Sequence, residues 1–146
     1  MKQAETEARR WWSQARDDRR FAEWVLSEDR FFDKGCFIAQ QSGEKALKAC
    51  LYGAGRRNVL GHSLAELVRD LRELHPAADT ATDPAKRLDR YYIPTRYPTG
   101  LPGGTPHESY SRADLEAALA DLRAVHSMCE GYLGSLGIPS GSPGKA

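Results

Sequence analysis

Four stretches of this chain repeat apolar residues every three or four positions, the spacing that gathers them on one face of a helix. From about Glu5 to Ser27 that face is Ala8, Trp11, Trp12, Ala15, Ala22, Val25 and Leu26. A second helix is expected from near Asp33 to just before Gly53, with Phe37, Leu47, Cys50 and Leu51 on its apolar stripe. Gln40 and Gly43 interrupt that stripe where large apolar groups belong. A buried Gln must find partners, and a helical Gly costs about 1 kcal/mol against Ala unless something packs closely on it. Ser63-Leu64-Ala65-Glu66 has the form of a capping box and opens a third helix, faced by Leu64, Leu67, Val68, Leu71 and Leu74 and stopped by His75-Pro76. A short helical turn follows, from Pro84 to about Tyr91. The last helix begins after Ser111, with Asp114 three residues on, and its face runs from Leu115 to Leu133.

No segment alternates apolar and polar residues with period two over a useful length. The expected fold is therefore all-α: an antiparallel up-and-down bundle of four main helices plus a short helical turn. One domain spans residues 1–133. The remainder, 134–146, reads as a flexible tail rich in Gly, Ser and Pro. The interval from Tyr91 to Pro106 holds four prolines and three glycines, which rule out regular helix and central strand. Long ordered loops in small domains often carry function.

Composition narrows the choices. The chain has 146 residues and a formal net charge of +1, so bulk charge offers no argument for a polyanion partner; any such site must be local. No apolar run approaches the roughly 20 residues of a membrane helix, and the N-terminus lacks the features of a secretory signal. A cytoplasmic protein is expected. Cys36, Cys50 and Cys129 form an odd, widely spaced set among apolar neighbours, and are expected to be small buried hydrophobes. No grouping of residues suggests a metal, and no cofactor is expected.

The loop carries the best candidate chemistry. Arg96 lies between Ile93-Pro94 and Tyr97-Pro98, two units that favour extended backbone, so its guanidinium is expected to be held outward. A planar guanidinium suits bidentate contact with phosphate, and Tyr91, Tyr92 and Tyr97 offer faces on which a base can stack. The competing reading has the tyrosines plugging the bundle's end and Arg96 paired with a carboxylate such as Asp89. Arg90, Lys45 and Lys48 are candidate additions to a basic groove if the loop folds back over the second helix; helical lysines are more often simply solvated. His62, just before Ser63, is a candidate for helping bind an anion at a helix N-terminus. His107 is near enough in sequence to share a site with Arg96. His126 falls at the edge of the last helix and the core.

Taken in order, these segments resemble the HEPN family. Ala8-Arg9-Arg10-Trp11-Trp12-Ser13-Gln14-Ala15 is similar to the opening helix of HEPN domains. The run from Phe37 to Ala49, FIAQQSGEKALKA, is similar to their second helix. Gly61-His62-Ser63-Leu64 and Thr95-Arg96-Tyr97-Pro98 complete the set, the latter as the RYP loop of the stand-alone bacterial type. The resemblance implies a helical bundle that commonly forms homodimers. It also implies a nucleotide or RNA ligand and a small nucleotidyltransferase as partner in a toxin–antitoxin-type pair. It would assign Gln40 and Gly43 to close helix packing or to a dimer seam. Ribonuclease members of the superfamily carry Arg and His separated by four to six residues near the start of the last helix. Here ten residues separate Arg96 from His107, while Arg57 and His62 meet the spacing but precede the third helix. The expectation is thus a non-catalytic binding module. Alternatives are a metal-independent ribonuclease with Arg96 and His107 as its catalytic pair, and a purely structural dimeric adaptor.

Overall fold

The structure, a computed structural model, describes residues 2–139 and is helical throughout, without strands among the described residues. Six helices follow in order: α1 (Lys2–Glu28), α2 (Phe32–Gly53), α3 (Leu64–Arg72), α4 (Thr82–Asp89), α5 (Pro106–Ser109) and α6 (Arg112–Ser135). Turns of 3-10 helix cover Pro76–Ala81 and Pro98–Gly100. The four main helices and the short turn before Tyr91 lie where the periodicity puts them. The single turn of α5, at the end of the proline- and glycine-rich interval, is an addition to the expected elements. It starts at a proline, the residue best suited to a first helical position.

Contacts fix the path of the chain. Gly35 of α2 lies against Val25 and Leu115, Ser42 against Ala15 and His126, and Cys50 against Cys129. These pairings make α1 antiparallel to α2 and α6 parallel to it. Residues 54–63 then run back along α2, since Gln40 Nε2 donates to the carbonyl of His62 at 3.0 Å and Gly43 faces Leu64. Next, α3 proceeds in the direction of α2 until His75 meets Tyr132 (4.6 Å between ring centroids). Finally α4 returns, bringing Arg87 to Asp121 on α6. Direction alternates at every step, as an up-and-down bundle requires, but one return leg is the extended segment 54–63.

The two oddities of the second helix have internal explanations. A Cβ on Gly43 would stand 2.5 Å from a methyl of Leu64, which is fully buried. Gln40, also fully buried, donates to His62 and accepts from Gln41 Nε2 at 2.8 Å. Both residues serve packing within one chain; neither is left at a surface for a dimer seam. The α3 cap is likewise more than local. Ser63 Oγ accepts from the Glu66 N–H, but the reciprocal partner is Asp89 of α4, which accepts from Ser63 Oγ and from the N–H groups of Leu64 and Ala65 (2.9, 2.7 and 3.0 Å). At α6 the predicted pair Ser111 and Asp114 does form a capping box.

All three cysteines are buried and free, and burial pushes the Cys36 thiol up to about 12. The last helix extends to Ser135, two residues into the stretch expected as tail, and Ile138 is buried against Gly53. Residues 140–146 of that expected tail lie outside the described residues.

His126 shows how closely the core is specified. Ser42 Oγ lies 2.6 Å from the Ala15 carbonyl and 2.9 Å from His126 Nε2. A hydroxyl has one proton, and a carbonyl can only accept, so Ser42 donates to Ala15 and Nε2 must carry the proton it shares with Ser42. That fixes the neutral tautomer. Burial, with help from Arg19 and Arg16, pushes the imidazole down to about 3.

Two outcomes are expected. Gly43→Ala will destabilise the fold by about 1–3 kcal/mol in urea titrations, because the new Cβ would stand 2.5 Å from the buried Leu64 side chain, which must shift to admit it. The unfolded chain takes up a proton at His126 near the ordinary value of 6.5, whereas the folded one does so only near 3, so acid favours unfolding. Stability will therefore decline as pH falls from about 6.5 towards 4, with a contribution from this group approaching about 1.4 kcal/mol per pH unit. His126→Gln, which cannot titrate, will remove that contribution from the urea midpoints.

Candidate functional site

The site is assembled on α2 from three directions. Phe37 lies on the partly exposed side of the helix, one turn from Gln40 and two from Glu44. Above it folds the segment after α4. The expectation of extended backbone on both sides of Arg96 holds only for Tyr97, which has φ −129° and ψ 132°. Arg96 itself is in a turn: its N–H and that of Tyr97 both donate to the carbonyl of Ile93, at 3.0 and 3.1 Å. Thr95, buried beneath, bonds through its hydroxyl to the carbonyl of Tyr91. Gly100 completes the loop, because a Cβ there would meet the backbone of Pro94 at 3.0 Å.

This turn carries the guanidinium into an aromatic cluster. Its central carbon is 4.5 Å from the ring centroids of both Phe37 and Tyr92 and 5.1 Å from that of Tyr97. Arg96 Nε donates to the Tyr92 carbonyl at 2.8 Å. Each cation–π contact contributes on the order of 0.5–2 kcal/mol, so together they restrain a side chain that would otherwise sample many rotamers. No carboxylate pairs with Arg96 among the described residues, and no acceptor takes its two terminal amines. Asp89, the expected competitor, is occupied in capping α3. Arg96 is thus fixed in place with its bidentate fork unspent.

The site continues through the ring of Tyr92. His62 stacks on it, with centroids 5.0 Å apart and planes 18° from parallel. His62 Nδ1 lies 3.4 Å from both carboxylate oxygens of Glu44, which in turn binds Lys48 at 2.9 Å. Glu44 and Lys48 are both buried, so each is the other's compensation for lost hydration. The anion site expected beside His62 is already filled, since Asp89 holds the first N–H groups of α3.

Of the residues singled out in the sequence, Arg96, Tyr97, Tyr92 and His62 therefore come together, and Lys48 joins them through Glu44. Others do not. Lys45 bonds to Asp18 on α1 at 2.6 Å. Arg90 is exposed at the end of α4, and His107 is exposed on α5 with no hydrogen bond or ring contact to Arg96. The loop does fold back over α2, as the basic-groove expectation required, but Lys45 and Lys48 have both spent their charges on carboxylates. Phe37 and Glu44 were missed as site residues. Their signal was present, because Phe37, Gln41, Glu44 and Lys48 recur at four, three and four residues and share one helical face.

Comparison with known proteins agrees with this architecture. The model for the HEPN domain matches residues 8–132. Among solved structures, TT1696 from Thermus thermophilus is 37% identical with a TM-score of 0.81, over 87% of this chain and 98% of that one. ST0689, an archaeal HEPN homologue, is 28% identical with a TM-score of 0.70, over 86% of this chain and 96% of its own. A HEPN domain protein from Thermotoga maritima, tm0613, is 27% identical with a TM-score of 0.68, over 86% of this chain and 98% of its own. No curated protein matches the chain. With a family model matching residues 8–132 and a 37% identical structure sharing the fold over 87% of its length, this chain belongs to the HEPN domain family.

Proposed function

We propose that this HEPN protein is a non-catalytic module that binds the phosphate and base of a nucleotide or of RNA at Arg96. We further propose that it acts as a homodimer beside a small nucleotidyltransferase in a toxin–antitoxin-type pair. The observation that carries the binding role is the guanidinium itself: it is held by three rings and one backbone carbonyl, yet both terminal amines lack an acceptor among the described residues. A phosphate would supply two charge-assisted bonds at little entropic cost, because the side chain is already ordered. Tyr97, half exposed, offers the nearest open face to a base.

Binding rather than cleavage is favoured by the sequence, in which ten residues lie between Arg96 and His107 instead of the ribonuclease spacing. Support for self-association comes from another face. Phe21 and Trp24 stack on one another on α1 and are both about half exposed, as is Phe31 at the start of α2. Apolar groups of this size gathered at one end of a helical pair gain from being covered.

Titration with ADP, ATP, GTP and a short RNA tests the binding role. Arg96→Ala is expected to weaken whichever ligand binds by at least about tenfold, the value of a charge-assisted bond. Absence of binding at millimolar ligand, or equal binding by the variant, contradicts it. Sedimentation of Trp24→Glu is expected to show a monomer where the wild type shows a dimer; a wild-type monomer contradicts the homodimer.

A further inference from the structure

A cavity of about 640 Å³ opens between the first turns of α1 and the segment that follows α2, and it shares no lining residue with the Arg96 site. Its volume falls within the range of about 300–1,000 Å³ that small ligands occupy. The two walls carry opposite charge. On the α1 wall, Gln3 and Glu7 lie four positions apart and so share one helical face. On the other wall, Arg56, Arg57 and Asn58 follow the end of α2, where Asn58, with φ 52°, turns the chain. Tyr52 ties the walls together, because its ring stacks on Trp11 of α1 with centroids 5.5 Å apart and planes 26° from parallel.

These groups differ in what they have already spent. Glu7 binds Arg10 at 2.7 Å, and Arg56 approaches the exposed Glu73 at 3.8 Å. Both are surface pairs, which exchange partners at little cost. Arg57 is exposed and pairs with no carboxylate among the described residues. Tyr52 Oη accepts from the Val59 N–H at 3.2 Å, which fixes the phenol and leaves its proton without an acceptor among those residues. The carboxamides of Gln3 and Asn58 likewise have no partner among them.

A cation and an anion on facing walls, with uncharged donors and acceptors between them, are complementary to a molecule that carries both charges. A carboxylate takes the Arg57 fork and the Tyr52 hydroxyl. An ammonium takes Glu7 and the carboxamide oxygen of Gln3. The Tyr52 ring and the Ala4 methyl supply apolar wall for the remainder. A phosphate ester finds a use for one wall only and is repelled by the other.

We propose that this cavity binds a small zwitterion, an amino acid or the two ends of a short peptide, with its carboxylate on Arg57 and its ammonium on Glu7. The site is separate from the nucleotide-binding reading of Arg96 and stands or falls independently of it.

Backbone amide NMR of the nitrogen-labelled protein tests the assignment. The probes are alanine, dialanine and trialanine, each also N-acetylated and C-amidated, with inorganic phosphate and ADP for comparison. At least one unblocked member is expected to shift the amides of residues 3–7 and 55–58 with a dissociation constant below about 1 mM. The member that binds best separates a free amino acid from a peptide. Blocking either end should weaken binding at least about fivefold, the worth of one exposed charge pair. Glu7→Gln, at the surface, should make the unblocked and acetylated forms bind equally. Arg57→Ala, also at an exposed position, should make the unblocked and amidated forms equal.

Amides of residues 3–7 and 55–58 that stay unmoved by every unblocked probe at about 10 mM overturn the site. Acetylated forms that bind the wild type as well as unblocked ones overturn the ammonium end, and with it the zwitterion. Phosphate or ADP that moves the same amides at lower concentration than any zwitterion shows a plain anion site and overturns the proposal. ADP that moves only the amides around Tyr92–Tyr97 is the expected result and reports on the Arg96 site alone.

Discussion

A helix enclosed on nearly every side must find a partner for each polar group it carries, and α2 is such a helix: 14 of its 22 residues are buried, among them Gln40, Ser42, Glu44 and Lys48. Each of these is satisfied, and no buried side-chain polar atom lacks a partner among the described residues. The satisfaction is what builds the rest of the molecule. Ser42 locks the tautomer of His126 on α6 and ties α2 to the carbonyl of Ala15 on α1. Gln40 captures the carbonyl of His62 and draws the return segment against α2. Glu44 neutralises Lys48 and offers its remaining capacity to the His62 ring. Leaving any of these groups unpaired would cost more than the bond itself contributes, so the polar set specifies one arrangement of helices.

The candidate site is a by-product of the same constraint. With His62 held by its own carbonyl, its ring is available to Tyr92, and Tyr92 with Phe37 makes the surface on which Arg96 rests. Asp89 is occupied by the α3 N-terminus, which removes the nearest carboxylate in sequence from competition for the guanidinium. The result is a cation that is ordered without being neutralised. Function of the kind proposed requires that combination, because an ion-paired arginine must first break its pair before it can bind a phosphate.

Much of this was legible in the residue pattern. The main helices followed from apolar spacing, and the α6 start from Ser111 and Asp114, because those signals are local. Gln40 and Gly43 were visible as anomalies, but their purpose was not, since it depends on where residues 62–64 land. The return segment 54–63 has no periodicity to announce that it runs along α2, so neither the direction of α3 nor the role of Glu44 could be inferred. The Asp89 cap joins residues about 25 positions apart, beyond the reach of a four-residue capping pattern. Arg96 and its tyrosines stood out because prolines and aromatic residues concentrate there. The turn that orders them depends on the bond to Ile93 and the close fit of Gly100 on Pro94, neither of which spacing reveals.

Arg96 is ordered on aromatic rings yet open at its terminal amines, and side-chain nitrogen NMR reads both properties at once. A slowly exchanging Arg96 Nε–H is expected, bonded to the Tyr92 carbonyl and displaced upfield by ring currents, with terminal amine resonances that move when ADP or RNA is added. A rapidly exchanging Nε–H at a random-coil position, or terminal amines that ignore both ligands, would contradict it.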